Sequence, residues 1–152
     1  MRIRLANKFD QNEIFEMLKH YREKTPISML ADTNNEEHVS KMFRHITLGG
    51  GICLLAEDVD YEPIGMLIAL FSTNMWDPDI RVLEELAYWV EPEYRGSTAG
   101  YRLLKEYQRM ALELKSENKI HWYSISKMSN SPDLKYEKFG YRKIEEKWIA
   151  GV

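Results

Sequence analysis

The residues between Leu86 and Leu104 combine a strand, a tight turn and a helix in a way that can hold an anion. The turn contains Arg95, Gly96 and Gly100, and the segment after it has the 3.6-residue apolar period of an amphipathic helix. A turn of small residues at a helix start leaves backbone N–H groups unpaired, and the helix dipole adds positive potential there. Together with the guanidinium of Arg95, these groups predict a binding site for a phosphorylated ligand.

Two other phosphate-binding turns fit this segment less well. A Walker loop would need a Gly-Lys-Ser/Thr ending, which is absent. A Rossmann fingerprint would need three glycines and an acidic residue about twenty positions later, after a second strand. Glu117 lies at roughly that distance but in a polar connection, so a Rossmann-type nucleotide domain is only a third interpretation.

The turn resembles motif A of the GNAT superfamily of N-acetyltransferases, in which an Arg/Gln-x-x-Gly-x-Gly/Ala turn wraps the pyrophosphate of acetyl-CoA. The matching residues are Arg95, Gly96, Ser97, Thr98, Ala99 and Gly100, preceded by Val90, Pro92 and Tyr94. Thr98 stands where the first family glycine is usual, and its side chain limits how closely backbone can approach a phosphate. Its hydroxyl could instead bind a phosphate oxygen or cap the helix. The resemblance also implies that Trp89 and Val90 offer backbone groups to the pantetheine amides.

Composition places the chain among ordinary globular proteins. Its 152 residues fit a single domain over 1–152, with 44% hydrophobic and 30% charged residues. No apolar run reaches the roughly 18 residues of a membrane helix, and no signal peptide opens the chain, so we expect a cytoplasmic protein without a membrane partner. The net charge of −3 argues against nucleic acid as a partner. Cys53 is predicted to be a buried thiol, and the four scattered histidines predict no metal site.

Apolar periodicity predicts the element order β-α-α-β-β-β-α-β-α-β. The predicted strands cover residues 1–7, 52–59, 63–72, 81–91, 119–126 and 141–149, and the third and fourth helices cover 99–115 and 131–140. This order is that of the GNAT fold from end to end. The resemblance therefore implies an α/β (α+β) single-domain fold, in which a mixed, mostly antiparallel central sheet is flanked by helices.

The resemblance also implies which residues carry the chemistry. In the family, a tyrosine of the last helix, within a Tyr-x-x-x-Gly-Phe pattern, commonly protonates the departing thiolate. Tyr136 occupies that position, followed by Gly140 and by Tyr141 in place of phenylalanine. An asparagine seven residues before this tyrosine often contacts the pantetheine arm. Here that position is Ser129, with Asn130 next to it, and either residue could serve.

The general base is predicted from strand parity. The family often uses a glutamate on the fourth strand, upstream of the phosphate turn. Glu84 lies six residues before Val90, so the two share one strand face with Tyr88 if the strand is regular, whereas Glu85 would point to the other face. A bulge, common at this point in the family, would shift the parity of everything beyond it. Glu84 is therefore the predicted base.

These residues predict an acetyl-CoA-dependent N-acetyltransferase that moves an acetyl group to a primary amine by direct attack. The amine belongs either to a small molecule or to a peptide, and acidic loop residues suit its positive charge. The alternative is a catalytically silent coenzyme A-binding or interaction module on the same fold, which the departures at Thr98 and Ser129 keep open. A homodimer is a possible assembly.

Overall fold

A five-stranded sheet with the spatial order β1-β2-β3-β4-β5 forms the centre of the computed structural model, which describes residues 1–152. The strands are β1 (Arg2–Leu5), β2 (Gly51–Glu57), β3 (Pro63–Thr73), β4 (Arg81–Val90) and β5 (Trp122–Ser124). Neighbouring strands are antiparallel except β4 and β5, which are parallel. The predicted mixed, mostly antiparallel sheet is therefore confirmed.

Helices cover both faces of this sheet. They are α1 (Gln11–Glu23), α2 (Glu36–His45) and α3 (Ala99–Ser116). The first core, between the sheet and α1 and α2, contains Ile14, Met17, Phe43, Leu55 and Trp89. The second core, between the sheet and α3, contains Leu67, Leu83, Leu103, Tyr107 and Ala111. Burial on both faces explains why the middle strands are almost continuously apolar. None of the helices is both long and apolar enough to cross a membrane.

A buried ion-pair network ties the first strand to the second. Glu57, which is 2% exposed, accepts hydrogen bonds from Arg2 Nη2 at 2.8 Å and from Arg4 Nε at 2.5 Å. Arg4 also binds both carboxylate oxygens of Asp10, just before α1, at 2.7 and 2.8 Å. The Arg4 guanidinium lowers the pKa of Asp10. The network thereby fixes the start of α1 against the edge of the sheet.

The chain after β5 differs from the prediction. In place of a helix over 131–140, the structure contains a short 3₁₀ turn, Tyr136–Phe139, which ends at Gly140 as predicted. Lys135 has a φ of 53°, a left-handed conformation that no helix can continue through. No strand forms over 141–149, where charged residues separate Ile144 from Trp148 and both side chains are exposed. β5 is also shorter than the predicted 119–126.

Candidate functional site

The turn between β4 and α3 presents a set of free backbone donors. The N–H groups of Gly96, Thr98, Gly100 and Tyr101 have no acceptor in the protein. The first turn of α3 carries no acidic side chain that could compete with a bound anion. Ser97 closes the turn instead, because its Oγ accepts from Ala99 N at 3.2 Å. Four free N–H groups at the start of an 18-residue helix can bind a phosphate or diphosphate.

The side chain of Thr98 points to the first residue of the chain. Its Oγ1 lies 3.9 Å from Met1 Sδ, and it does not cap α3. The carbonyl of Met1 accepts a hydrogen bond from Arg102, one turn further along the helix, at 2.9 Å. The threonine that replaces the usual glycine thus contacts Met1, just before β1.

Arg95 folds back onto the end of β4. Its Nε donates to the Val90 carbonyl at 3.0 Å, and its guanidinium lies 4.5 Å from the centre of the Trp89 indole ring. The other guanidinium nitrogens of Arg95 have no partner in the protein. They supply positive charge beside the free N–H groups of the turn.

The outer edge of β4 is open next to this turn. β5 pairs only with Val82–Glu84, so the two parallel strands separate beyond Glu84. On the other side, Glu91 N donates to the carbonyl of Ile64, near the start of β3, at 2.8 Å. Ladder bonds alternate along an antiparallel pair, so the backbone groups of Tyr88 and Val90 face the open edge. Those of Trp89 face β3, which corrects the expectation that Trp89 offers its backbone to a ligand there.

A bulge at Leu86 interrupts β4. Ile68 of β3 pairs with Ala87, but the next residue, Ala69, pairs with Glu85, so Leu86 has no partner. The α1 helix contacts this point, because the hydroxyl of Tyr21 lies 3.4 Å from the Leu86 carbonyl oxygen.

The bulge reverses the parity expected from the sequence. Leu83, Tyr88 and Val90 all belong to the α3 side of the sheet, and Glu85 lies two residues after Leu83 on that face. Glu84 is on the opposite face and is exposed. The prediction that Glu84 shares a face with Tyr88 and Val90 is therefore wrong. The sequence contains one signal for the bulge. If β4 alternated regularly, Glu85 would share a face with Ala87 and Trp89 and its charged side chain would enter the apolar core.

Glu85 is a buried carboxyl group at the point where β4 and β5 separate. It is 8% exposed, and its Oε2 accepts a hydrogen bond from the backbone N–H of Ser126, just after β5, at 3.0 Å. Burial raises the pKa of Glu85 to about 7, although the hydrogen bond from Ser126 opposes this rise. A carboxyl group with a pKa near neutrality can both accept and return a proton.

Tyrosines surround this carboxyl group. Burial raises their pKa values, and the nearby Glu85 carboxylate adds to the rise at Tyr21, Tyr88, Tyr107, Tyr136 and Tyr141. Tyr88 donates a hydrogen bond to the Gly100 carbonyl, which connects this cluster to the start of α3. All five hydroxyls are protonated at neutral pH, so they can act as hydrogen-bond donors or acids.

Tyr136 lies in the 3₁₀ turn after β5. Its ring centre is 6.0 Å from that of Tyr141, and burial raises its pKa to about 12. Asn130 lies on the preceding loop, and its Nδ2 donates to the carbonyl of Lys24 at 2.6 Å, which links this loop to the end of α1. Ser129 is exposed and has no side-chain partner. The structure thus brings Tyr136 near Glu85, at the cleft that opens where β4 and β5 separate, whereas Glu84 is exposed on the opposite face of β4.

Two further surfaces carry acidic residues. A cavity of about 410 Å³ between α1 and α2 is bordered by Asp32 and Glu36, but also by Lys19 and Arg22, so its charge is mixed. The loop between β3 and β4 exposes Trp76 almost completely.

No group of three or more His, Cys, Asp or Glu side chains could hold a metal ion.

Comparison with known proteins decides the family. Residues 13–141 match the model of the acetyltransferase (GNAT) family, which covers most of the chain. This protein belongs to the GNAT family. Membership supports acetyl transfer as the general activity. No curated protein matches the chain in sequence.

Solved GNAT-like structures share the fold along the whole chain. The crystal structure of a probable acetyltransferase is 18% identical, with a TM-score of 0.73, and the match covers 100% of this chain and 98% of that one. A predicted acetyltransferase from Clostridium acetobutylicum, solved with acetyl-CoA, is 17% identical, with a TM-score of 0.75 and coverage of 99% and 95%. An aminoglycoside acetyltransferase from an uncultured soil metagenomic sample is 10% identical, with a TM-score of 0.68 and coverage of 99% and 93%. At these identities the likeness shows the fold alone.

Proposed function

We propose that this GNAT protein is an acetyl-CoA-dependent N-acetyltransferase that moves the acetyl group to a primary amine by direct attack. One observation carries the proposal: the open edge of β4 leads from a turn with four free N–H groups to a cleft that contains a proton acceptor and a proton donor. In acetyl-CoA the pantetheine arm connects a diphosphate to the acetyl thioester, and this layout offers complementary groups to both.

The diphosphate would bind at the turn over 95–101. The free N–H groups there match the oxygens of a diphosphate, and Arg95 adds positive charge. The Ser97 Oγ and the Ala99 N–H that donates to it shape the turn, while Thr98 contributes its N–H group and not its side chain. The proposed diphosphate site therefore depends on these unpaired N–H donors.

The pantetheine arm would lie along the open edge of β4. Its amides can pair with backbone groups of Val90 and Tyr88 in the way that an added strand would. Arg95 Nε already uses the Val90 carbonyl in this structure, so ligand binding would release or share that contact. Ser129 and Asn130 remain the proposed side-chain contacts on the opposite side of the cleft. Ser129 and the Oδ1 of Asn130 are free to make them.

Two residues would move the protons. The amine must lose a proton as its nitrogen attacks the carbonyl carbon, and Glu85 is the group in the cleft with a pKa suited to accept it near neutral pH. Cleavage of the carbon–sulfur bond leaves a thiolate, to which Tyr136 would donate its hydroxyl proton. Glu85 replaces Glu84 as the proposed base because the bulge turns Glu84 away.

The acceptor amine is either a small molecule or a peptide. The cluster of tyrosine rings around Glu85 suits an alkylammonium group, because a carboxylate attracts it and aromatic faces hold it. These features favour no particular carbon skeleton. The expected homodimer and cytoplasmic location stay predictions, and light scattering in solution measures the assembly.

Two measurements test the proposed function. Isothermal titration determines whether the protein binds acetyl-CoA, and thiol detection measures coenzyme A release with a panel of small amines, amino acids and peptides. We expect binding, together with coenzyme A release that depends on one class of amine. Binding without release for every amine would instead identify the silent module, and absence of binding would refute both.

A further inference from the structure

Tyr141 carries a buried hydroxyl group that the structure leaves without a partner. Its Oη is inaccessible to solvent and makes no hydrogen bond. An unsatisfied buried hydroxyl destabilises a folded protein, so such a group needs an explanation. Neighbouring buried hydroxyls behave differently, because Tyr107 donates to the Ser124 carbonyl at 2.8 Å and Tyr88 donates to that of Gly100.

The position of Tyr141 is fixed by aromatic packing. Its ring meets the ring of Tyr123 of β5 edge to face, with centres 5.6 Å apart, and the ring of Tyr136 at 6.0 Å. Tyr123 in turn packs on Tyr107 of α3. The Tyr141 ring therefore cannot turn its hydroxyl into solvent without breaking this stack. The ring alone would satisfy this packing, so packing does not account for the buried hydroxyl.

The surroundings of this hydroxyl define what it can bind. The Tyr141 ring packs beside that of Tyr136, Glu85 is close enough for its charge to add to the rise in the pKa of Tyr141, and burial keeps the hydroxyl protonated. A protonated hydroxyl needs an acceptor, yet the acceptor amine offers none once its lone pair attacks. The thioester offers a carbonyl oxygen, which is two bonds away from the sulfur that Tyr136 would protonate.

We propose that Tyr141 Oη donates a hydrogen bond to the carbonyl oxygen of the bound acetyl thioester, an inference that rests on the proposed function. When the amine nitrogen bonds to the carbonyl carbon, the π electrons move to this oxygen, and the Tyr141 hydroxyl stabilises the resulting charge without giving up its proton. When the carbon–sulfur bond breaks, the electrons return and the carbonyl reforms. A donor placed where negative charge develops lowers the barrier of such a step.

The test compares Tyr141→Phe with Tyr107→Phe. Both substitutions remove one buried hydroxyl and keep the ring, but only the Tyr107 hydroxyl is bonded within the protein. We expect Tyr141→Phe to raise the melting temperature of the ligand-free protein and Tyr107→Phe to lower it. Titration should show acetyl-CoA binding weakened about threefold to tenfold in Tyr141→Phe. Binding of coenzyme A, which lacks the acetyl oxygen, should be unchanged, and kcat should fall by about 10²-fold.

The outcomes separate this inference from the proposed function. If the parent binds acetyl-CoA and turns it over, and Tyr141→Phe does so equally well, the inference about Tyr141 is wrong and the proposed function stands. Equal weakening of acetyl-CoA and coenzyme A would also overturn it, because the contact would then not involve the acetyl oxygen. Failure of the parent protein to bind acetyl-CoA at all would overturn both.

Discussion

Replacing Glu85 with glutamine should change the pH dependence of both stability and activity. Glutamine keeps the size of the side chain and an oxygen that can accept from Ser126 N–H. Raising the pKa of Glu85 from its ordinary 4.5 to about 7 corresponds to about 3 kcal/mol, at about 1.4 kcal/mol per pH unit. Glu85 is only 8% exposed, so solvent screens little of this effect.

The sign follows from proton binding. The folded protein holds the Glu85 proton more tightly than the unfolded chain does, so the ionised carboxylate opposes folding. This cost is absent below about pH 4.5, grows as the pH rises and is complete above about pH 7. Glu85→Gln should therefore match the parent in free energy of unfolding near pH 4.5 and exceed it by up to about 3 kcal/mol in mildly alkaline solution.

Urea unfolding at several pH values measures the stability difference, and coenzyme A release measures activity. The kcat of Glu85→Gln should be about 10²-fold lower than that of the parent. The basic group that we expect in the parent's pH–rate profile should be absent from that of the variant. Glu84→Gln is the matched control, because Glu84 is adjacent in sequence but exposed. Stability curves for Glu85→Gln and the parent that run parallel across this pH range would refute the burial argument. An unchanged pH–rate profile would refute the role as base.

Three further changes test the turn, the acid and the ion-pair network. Gly96→Val should weaken acetyl-CoA binding at least about tenfold by titration while leaving the melting temperature unchanged, because no protein atom lies within 4 Å of a Cβ at that position. Unchanged affinity for acetyl-CoA would show that the diphosphate does not bind at this turn. Tyr136→Phe should lower kcat about 10²-fold with acetyl-CoA affinity kept; equal turnover would leave Tyr136 a packing residue. Glu57→Ala should lower the free energy of unfolding by about 2 kcal/mol in urea, because Arg2 and Arg4 lose their charge-assisted hydrogen bonds to Glu57 while Arg4 keeps its contact with Asp10. An unchanged free energy of unfolding would contradict this.

The local pattern of the chain determined the elements that hold the phosphate turn. The apolar period after Gly100 predicted α3, and the structure places that helix over Ala99–Ser116. The continuous apolar runs of β2 and β3 are typical of strands buried on both faces, and residues of both strands lie in both cores. These features follow from residues close in sequence, so spacing alone reveals them.

The end of the chain could not be predicted in the same way. The segment over 141–149 alternates too weakly to decide between strand and coil, since only Ile144, Trp148 and Ile149 follow Tyr141 as large apolar residues. Whether such a segment pairs depends on a partner strand far away in sequence, which periodicity does not describe.

The choice between Glu84 and Glu85 as the proposed base depended on tertiary structure. Alternation along the strand places Glu84 and Glu85 on opposite faces of β4. It does not determine which of them shares a face with Tyr88 and Val90, because the one unpaired residue, Leu86, exchanges the two faces. The environment of Glu85 arises likewise from distant segments: α1 brings Tyr21, and the loop after β5 brings Ser126 and Tyr136. The sequence alone thus determined the fold family and the strand and helix on either side of the proposed phosphate turn. The shifted pKa of Glu85 depends on burial by residues far apart in the chain, so only the folded structure could decide it.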